Sequence, residues 1–297
     1  MNNRKRGNRT FAAVTAFVLT LAMIAPPPAD AITGNFEEDF VHTYVGLVAF
    51  YDAEGEFMGR CSGALLSPTV FLTAGHCTAG ATSARIWFHQ DVGSQFNTVT
   101  GAPDPRTGYP DACIAGDPLC VESTQLYNRG FNDFAGFPET QDVGLVILSE
   151  PVTFTTQFAV LAEPGSLDYL ATNQRRGPGP TVTFTGYGVS DIRPAQLSFR
   201  ERLMATGFII NVRNPLTAGF NIQVSTNVGQ GRGGTCFGDS GGPILWDNTN
   251  IVVAVNSFVL NSNCAGVGFG YRVDTQAVYN WITSITGQSL PTAPLET

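Results

Sequence analysis

Short apolar runs punctuated by turn residues constrain this chain more than any other feature. They fall at 44–51, 61–66, 70–73, 85–89, 144–148, 182–185, 207–212, 220–224, 243–246 and 251–258, with Gly, Pro, Asn and Asp between them. Runs of this length are strands, and many of them in one chain make a barrel or a sandwich. The pattern changes once, near the C-terminus. Val278, Trp281, Ile282 and Ile285 follow helical spacing, with Asp274 available as an N-cap and Gly287 as a stop. The expected fold class is therefore all-β with a C-terminal helix, followed by a disordered tail at 288–297. A breaker-rich stretch, Gly177-Pro178-Gly179-Pro180, lies in a connection between two halves placed at about 161–180. The segment 91–136 is rich in Gly, Pro, Asp and Asn and reads as long surface loops, stapled locally if Cys113 and Cys120 pair.

The 297 residues are 43% hydrophobic and only 13% charged, which is enough for one large core or two linked ones and too apolar for disorder. The formal charge is -8, and Lys5 is the only lysine. An acidic chain without basic clusters argues against a nucleic-acid partner. Residues 1–31 read as a secretory signal peptide: Arg4, Lys5, Arg6 and Arg9 precede an apolar run at 11–25, prolines follow, and Ala29-Asp30-Ala31 forms an A-x-A cleavage site. The run is shorter than the ~20 residues of a membrane span. Export, with no membrane attachment after cleavage, makes disulfides permissible for the six cysteines.

Three short motifs carry chemistry. Gly238-Asp239-Ser240-Gly241-Gly242-Pro243 sets one serine among glycines, where backbone N–H groups can face a reacting carbonyl. A serine hydroxyl needs a base to take its proton, and the base needs an orienting acid. The histidines are His42, His76 and His89; His76 lies in Ala74-Gly75-His76-Cys77, just after a strand-like run. Asp142 stands alone before the apolar strand Val143-Gly144-Leu145-Val146, where a carboxylate can be buried and still bond an imidazole. Asp133 competes with it but lies in a loop without such a strand behind it.

Along the chain, in the order His, Asp, Ser, the motifs closely resemble those of the trypsin/chymotrypsin-like serine proteases, and the chain is similar to a secreted, bacterial-type member over about 32–287. Cys61-Ser62-Gly63, Gly186-Tyr187-Gly188 and Tyr271-Arg272-Val273 resemble further family motifs. The resemblance implies two six-stranded antiparallel β-barrels, the first about 32–160 and the second about 161–287, with the site in the cleft between them. It implies a secreted, monomeric endopeptidase acting on polypeptide substrates, without cofactor or metal. Ser240 would be the nucleophile, His76 the base and Asp142 the orienting acid. The N–H groups of Gly238 and Ser240 would form the oxyanion hole, and Ser257 would support Asp142.

The resemblance also implies bridges Cys61–Cys77 and Cys236–Cys264, leaving Cys113–Cys120, which has no family counterpart. Gly234, Val259 and Gly268 fall at specificity-pocket positions and imply a pocket for small or medium apolar side chains. Ile32, freed by signal cleavage, would ion-pair with Asp239. A catalytically silent binding protein of the same fold is the alternative; such relatives usually lack a triad residue, and this chain has all three.

Overall fold

A computed structural model describes residues 32–93, 109, 112–172, 179–189, 198, 200–226 and 231–296. The signal segment and residues 177 and 178 of the breaker stretch lie outside them. The described chain opens with two very short strands, β1 (Thr33–Gly34) and β2 (Glu37–Glu38). Seven strands then form one antiparallel sheet: β3 (Val45–Tyr51), β4 (Phe57–Ser67), β5 (Val70–Thr73), β6 (Ser83–Trp87), β7 (Cys120–Ser123), β8 (Gln125–Asn128) and β9 (Gly144–Ile147). Their order is β7-β6-β3-β4-β5-β9-β8. Its two ends, β7 and β8, are one stretch of chain broken only at Thr124, so the sheet curls nearly shut. Ser123 sits at the break, where its Oγ donates to Ile147 O and accepts from Gln125 N–H at 2.9 Å. β3 is buried along its whole length, since it packs inward on the barrel core and outward on covering chain.

The second sheet contains β10 (Val160–Ala162), β11 (Thr181–Gly186), β12 (Leu203–Asn211), β13 (Asn221–Thr226), β15 (Pro243–Trp246), β16 (Ile251–Val259), β17 (Gly266–Arg272) and β18 (Thr292–Ala293), while β14 (Gly233–Gly234) pairs with β1. Six of them run in the order β15-β11-β12-β13-β17-β16, and pairing of β15 with β16 closes the barrel. Among the described residues three helices complete the fold: α1 (Gly75–Thr78), α2 (Tyr169–Thr172) and α3 (Gln276–Thr286). The architecture is thus all-β, with two barrel-like sheets and a C-terminal helix. Gly287 ends α3 in the left-handed conformation, as its position suggests. Thr275, not Asp274, caps its start. Asp274 is instead buried and accepts from Arg272 and from Leu167 N–H.

Three expectations need correction. The stretch 32–38, assigned by chain order to the first barrel, pairs with the second: Thr33 lies opposite Gly234, and Glu38 opposite Leu203. Ile32 is fully buried in the second barrel's apolar cluster. The segment 91–136 is not loop throughout, because β7 and β8 lie within it; their exposed edges hide the alternation that marks a strand. The tail is ordered to 296. Strand β18 adds in parallel to β10, Tyr279 Oη donates to Leu290 O at 3.1 Å, and Trp246 Nε1 donates to Glu296 O at 3.0 Å. Its sequence is too polar and proline-rich to announce a strand; the open edge of β10 supplies the template.

Removal of residues 289–297 is expected to lower stability by about 2–4 kcal/mol, the sum of burying Leu290 and of the lost strand bonds. Urea unfolding of the chain with Ser240→Ala, with and without the tail, measures it. No change in midpoint would mean that the tail merely rests on the barrel.

Candidate active site

His76 is placed by the short turn of helix α1. Gly75 precedes it, and a side chain there would press on Phe131 and on the Val143 backbone, 3.0 and 3.1 Å from its Cβ position. The Cys61–Cys77 bridge ties α1 to β4, and Asn128 Nδ2 donates to Gly75 O at 2.9 Å. Two sheet ends and one bridge therefore fix a helix too short to hold itself.

Asp142 has no exposure at all. Its carboxylate accepts from the His76 backbone N–H at 2.7 Å and contacts His76 Nδ1 at 2.9 and 3.1 Å. Ser257 Oγ donates to Oδ2 as well. Ser257 reaches it because the β16–β17 register slips between Asn256 and Phe258, a bulge that re-aims the side chain. A buried carboxylate costs several kcal/mol unless its oxygens are met by donors, and here donors from α1 and β16 meet them. With Nδ1 facing Asp142, the other ring nitrogen of His76 is left for the cavity.

Ser240 stands in the turn before β15, on the second barrel. Gly238 and Gly241 flank it with φ of 98° and 77°, a region closed to most side chains. A Cβ on Gly241 would also lie 2.1 Å from Thr73 Oγ1 and 2.6 Å from Ala74 N, so glycine here lets the serine turn touch the segment carrying His76. His76 and Ser240 line the same cavity of about 430 Å³, together with Phe131, Phe134, Phe237, Ser257, Phe258 and Val259. His42 and His89 face other carboxylates, Asp39 at 2.9 Å and Asp117 at 3.5 Å, and neither lines this cavity. Asp133 lines it but is exposed, and the bonds of the described residues do not link it to His76.

Asp239, beside the serine, points inward and is fully buried. It accepts from Gly188 N–H at 2.8 Å and from Cys236 N–H at 2.9 Å. Cβ atoms on Gly186 or Gly188 would lie 2.5 and 2.4 Å from its side chain, which explains the glycines of Gly186-Tyr187-Gly188. Burial pushes its carboxyl up to about 7, against the pull of those two N–H groups and of Arg60.

The three disulfides are Cys61–Cys77, Cys113–Cys120 and Cys236–Cys264. Cys61 and Cys77 lie near His76, but bridged sulfurs offer no thiolate to a metal. Of the positions expected to set specificity, Val259 lines the cavity, while Gly234 and Gly268 do not. The space a side chain at Gly234 would need is filled by Thr226, whose Cβ is 2.1 Å from it; Gly268 faces Thr235 and Thr226 at 3.3 and 3.4 Å. Sequence reasoning missed the aromatic wall. Phe131 lies 5.8 Å from the His76 ring and 5.0 Å from Phe134, which meets Phe258 at 5.6 Å. Three phenylalanines at 131, 134 and 137 in a Gly- and Asp-rich stretch were the available signal. Ser62, which braces the serine turn, showed only as part of Cys61-Ser62-Gly63, and Arg60 beside it left no signal.

The trypsin family model matches residues 43–282. Brachyurin from Leptuca pugilator is 27% identical over 234 residues, covering 76% of this chain and 88% of that protein. Alpha- and beta-fibrinogenase OhS1 from Ophiophagus hannah is 25% identical, covering 78% of each. Among solved structures, HL collagenase superposes with a TM-score of 0.62 at 20% identity, over 86% of this chain and 99% of that one. The named source organisms are animals, so the bacterial-type qualifier gains no support. The chain belongs to the trypsin family and is a serine endopeptidase.

Proposed function

We propose that this protein is a secreted, monomeric endopeptidase whose triad is His76, Asp142 and Ser240. The observation that carries the reading is the buried Asp142 holding His76 Nδ1 at 2.9 Å while His76 and Ser240 line one cavity. In this reading His76 Nε2 takes the Ser240 proton as Oγ attacks the scissile carbonyl. Asp142 stabilises the imidazolium, and His76 then gives the proton to the leaving amine. Gly238 and Ser240 N–H groups receive the oxyanion, and water resolves the acyl-enzyme by the same steps in reverse. Export is supported by the signal-like 1–31 and by three disulfides; no described helix is long and apolar enough to cross a membrane.

The pocket reading favours small or medium apolar P1 residues. Val259 stands in the wall, Thr226 occupies the space beneath Gly234, and none of the residues lining the cavity is a carboxylate deep enough to meet a basic P1 side chain. The expected outcome with a P1 peptide library is faster cleavage after Ala, Val or Leu than after Lys or Arg. Ser240→Ala is expected to lower kcat about a million-fold with the fold retained. Faster cleavage after Arg at matched flanks would overturn the pocket reading; activity within about tenfold of wild type in folded Ser240→Ala would overturn the triad.

Activation follows from signal cleavage after Ala31, which would free Ile32 to ion-pair with Asp239. Supporting this, Ile32 is buried, Thr33 pairs with Gly234, and among the described residues Asp239 has no ion-pair partner. The pH dependence has a definite sign. A carboxyl at about 7 when folded, against about 3.9 unfolded, holds a proton that the unfolded chain releases. In chain extended upstream of Ile32, stability should therefore fall as pH rises from about 4 to 7. In chain starting at Ile32 the ammonium favours the ionised form, and the fall should shrink. Denaturation of both forms carrying Ser240→Ala, at pH 5 and 7, reads this, alongside N-terminal sequencing of the active secreted protein. Equal slopes, or full activity with a residue retained before Ile32, would contradict it.

A further inference from the structure

Ser62 is a fully buried serine in β4, on the first barrel, and none of its polar atoms is idle. Its backbone N–H donates to Ser240 O at 2.8 Å. Its hydroxyl donates to Gly238 O at 2.9 Å and accepts from Tyr187 N–H at 2.9 Å. Its carbonyl accepts from Thr73 Oγ1 at 2.9 Å, one residue before the segment Ala74-Gly75-His76. One residue thus grips the carbonyls on both sides of Asp239, in the turn whose N–H groups at 238 and 240 bracket the same aspartate.

A peptide plane is rigid, so fixing a carbonyl fixes the N–H at the other end of its plane and limits the dihedrals of both neighbours. Gly238 needs that restraint more than most. At φ 98° it sits in a region a glycine enters and leaves freely, and no side chain holds it there. The hydroxyl of Ser62 stops its carbonyl from turning, while Tyr187 N–H fixes the direction in which that hydroxyl points.

We propose that Ser62 is a positioning residue for the oxyanion hole: its hydroxyl, oriented by Tyr187 N–H, locks the Gly238 peptide in the conformation that aims the 238 and 240 N–H groups at the substrate carbonyl. The proposal rests on the triad reading given above. It is specific to the transition state. Donors aimed at a developing oxyanion matter little to the planar ground-state carbonyl, so loss of the lock should lower kcat and leave KM nearly unchanged.

The test is Ser62→Ala in the full secreted enzyme, with Ser123→Ala as control. Ser123 is a buried serine of the first barrel whose hydroxyl bonds to Ile147 O, remote from the cavity. Ser62→Ala is expected to lower kcat about tenfold or more with KM within about twofold. It should weaken a peptide aldehyde, which forms a tetrahedral adduct, by the same factor, and leave binding of a product peptide unchanged. Ser123→Ala should lower the melting temperature to a similar degree and leave kcat alone. Unchanged kcat in folded Ser62→Ala would overturn the proposal, as would equal weakening of aldehyde and product peptide. If Ser62→Ala does not fold, Ser62→Cys, which keeps only a weak donor, should show a kcat below wild type with KM nearly unchanged; wild-type kcat with Gly238 O deprived of its hydroxyl partner would again refute it. Full activity in Ser240→Ala would instead sink the triad reading and not this one alone.

Discussion

The contact on which the active site depends is the close approach of the serine turn, from the second barrel, to the strand end that carries His76, from the first. It is made at Gly241, where any side chain would collide with Thr73 and the Ala74 backbone within 2.6 Å. Bonds from Ser62 close the same seam: its N–H donates to Ser240 O at 2.8 Å and its Oγ to Gly238 O at 2.9 Å. Neither barrel alone carries both His76 and Ser240. The proposed triad exists only where the two are pressed together with no room left over, as close-packed interiors require.

Buried charge is arranged along that seam in a consistent way. Asp142 and Asp239 are both without exposure, and each is met by N–H or O–H donors from more than one element. Arg202 is buried too. It donates to Asp39 O at 3.1 Å and to Val45 and Phe88 carbonyls of the first barrel at 3.3 and 3.0 Å. Removing a partner would leave the other group unsatisfied at a cost of about 1–3 kcal/mol or more, so these groups specify the mutual placement of the barrels.

What could be read from the sequence divides along the same physical line. The serine turn, Gly186-Tyr187-Gly188 and Ala74-Gly75-His76 were legible because tight approach demands glycine at fixed offsets, and that demand is written locally. Most strands of the two barrels were legible because each is a short apolar run bounded by Gly, Pro, Asn or Asp. The tail strand was not, because residues 292–293 become a strand only on the edge of β10. The placement of 32–38 on the second barrel was not, since pairing across 165 to 201 residues leaves no local trace; Glu38 and Leu203 give only a pair of ordinary residues. Ser62 was visible merely as part of a motif. Its bonds to Gly238, Ser240 and Tyr187 span 125 to 178 positions and follow from the closed seam alone.

The account stands or falls on Ser240 being an activated nucleophile. The direct measurement is covalent labelling of the secreted protein with a fluorophosphonate, followed by mass spectrometry of its peptides. The account predicts one adduct, on Ser240, lost in His76→Ala and greatly slowed in Asp142→Asn. An unlabelled folded protein, or an adduct on a different residue at the same rate, would contradict it.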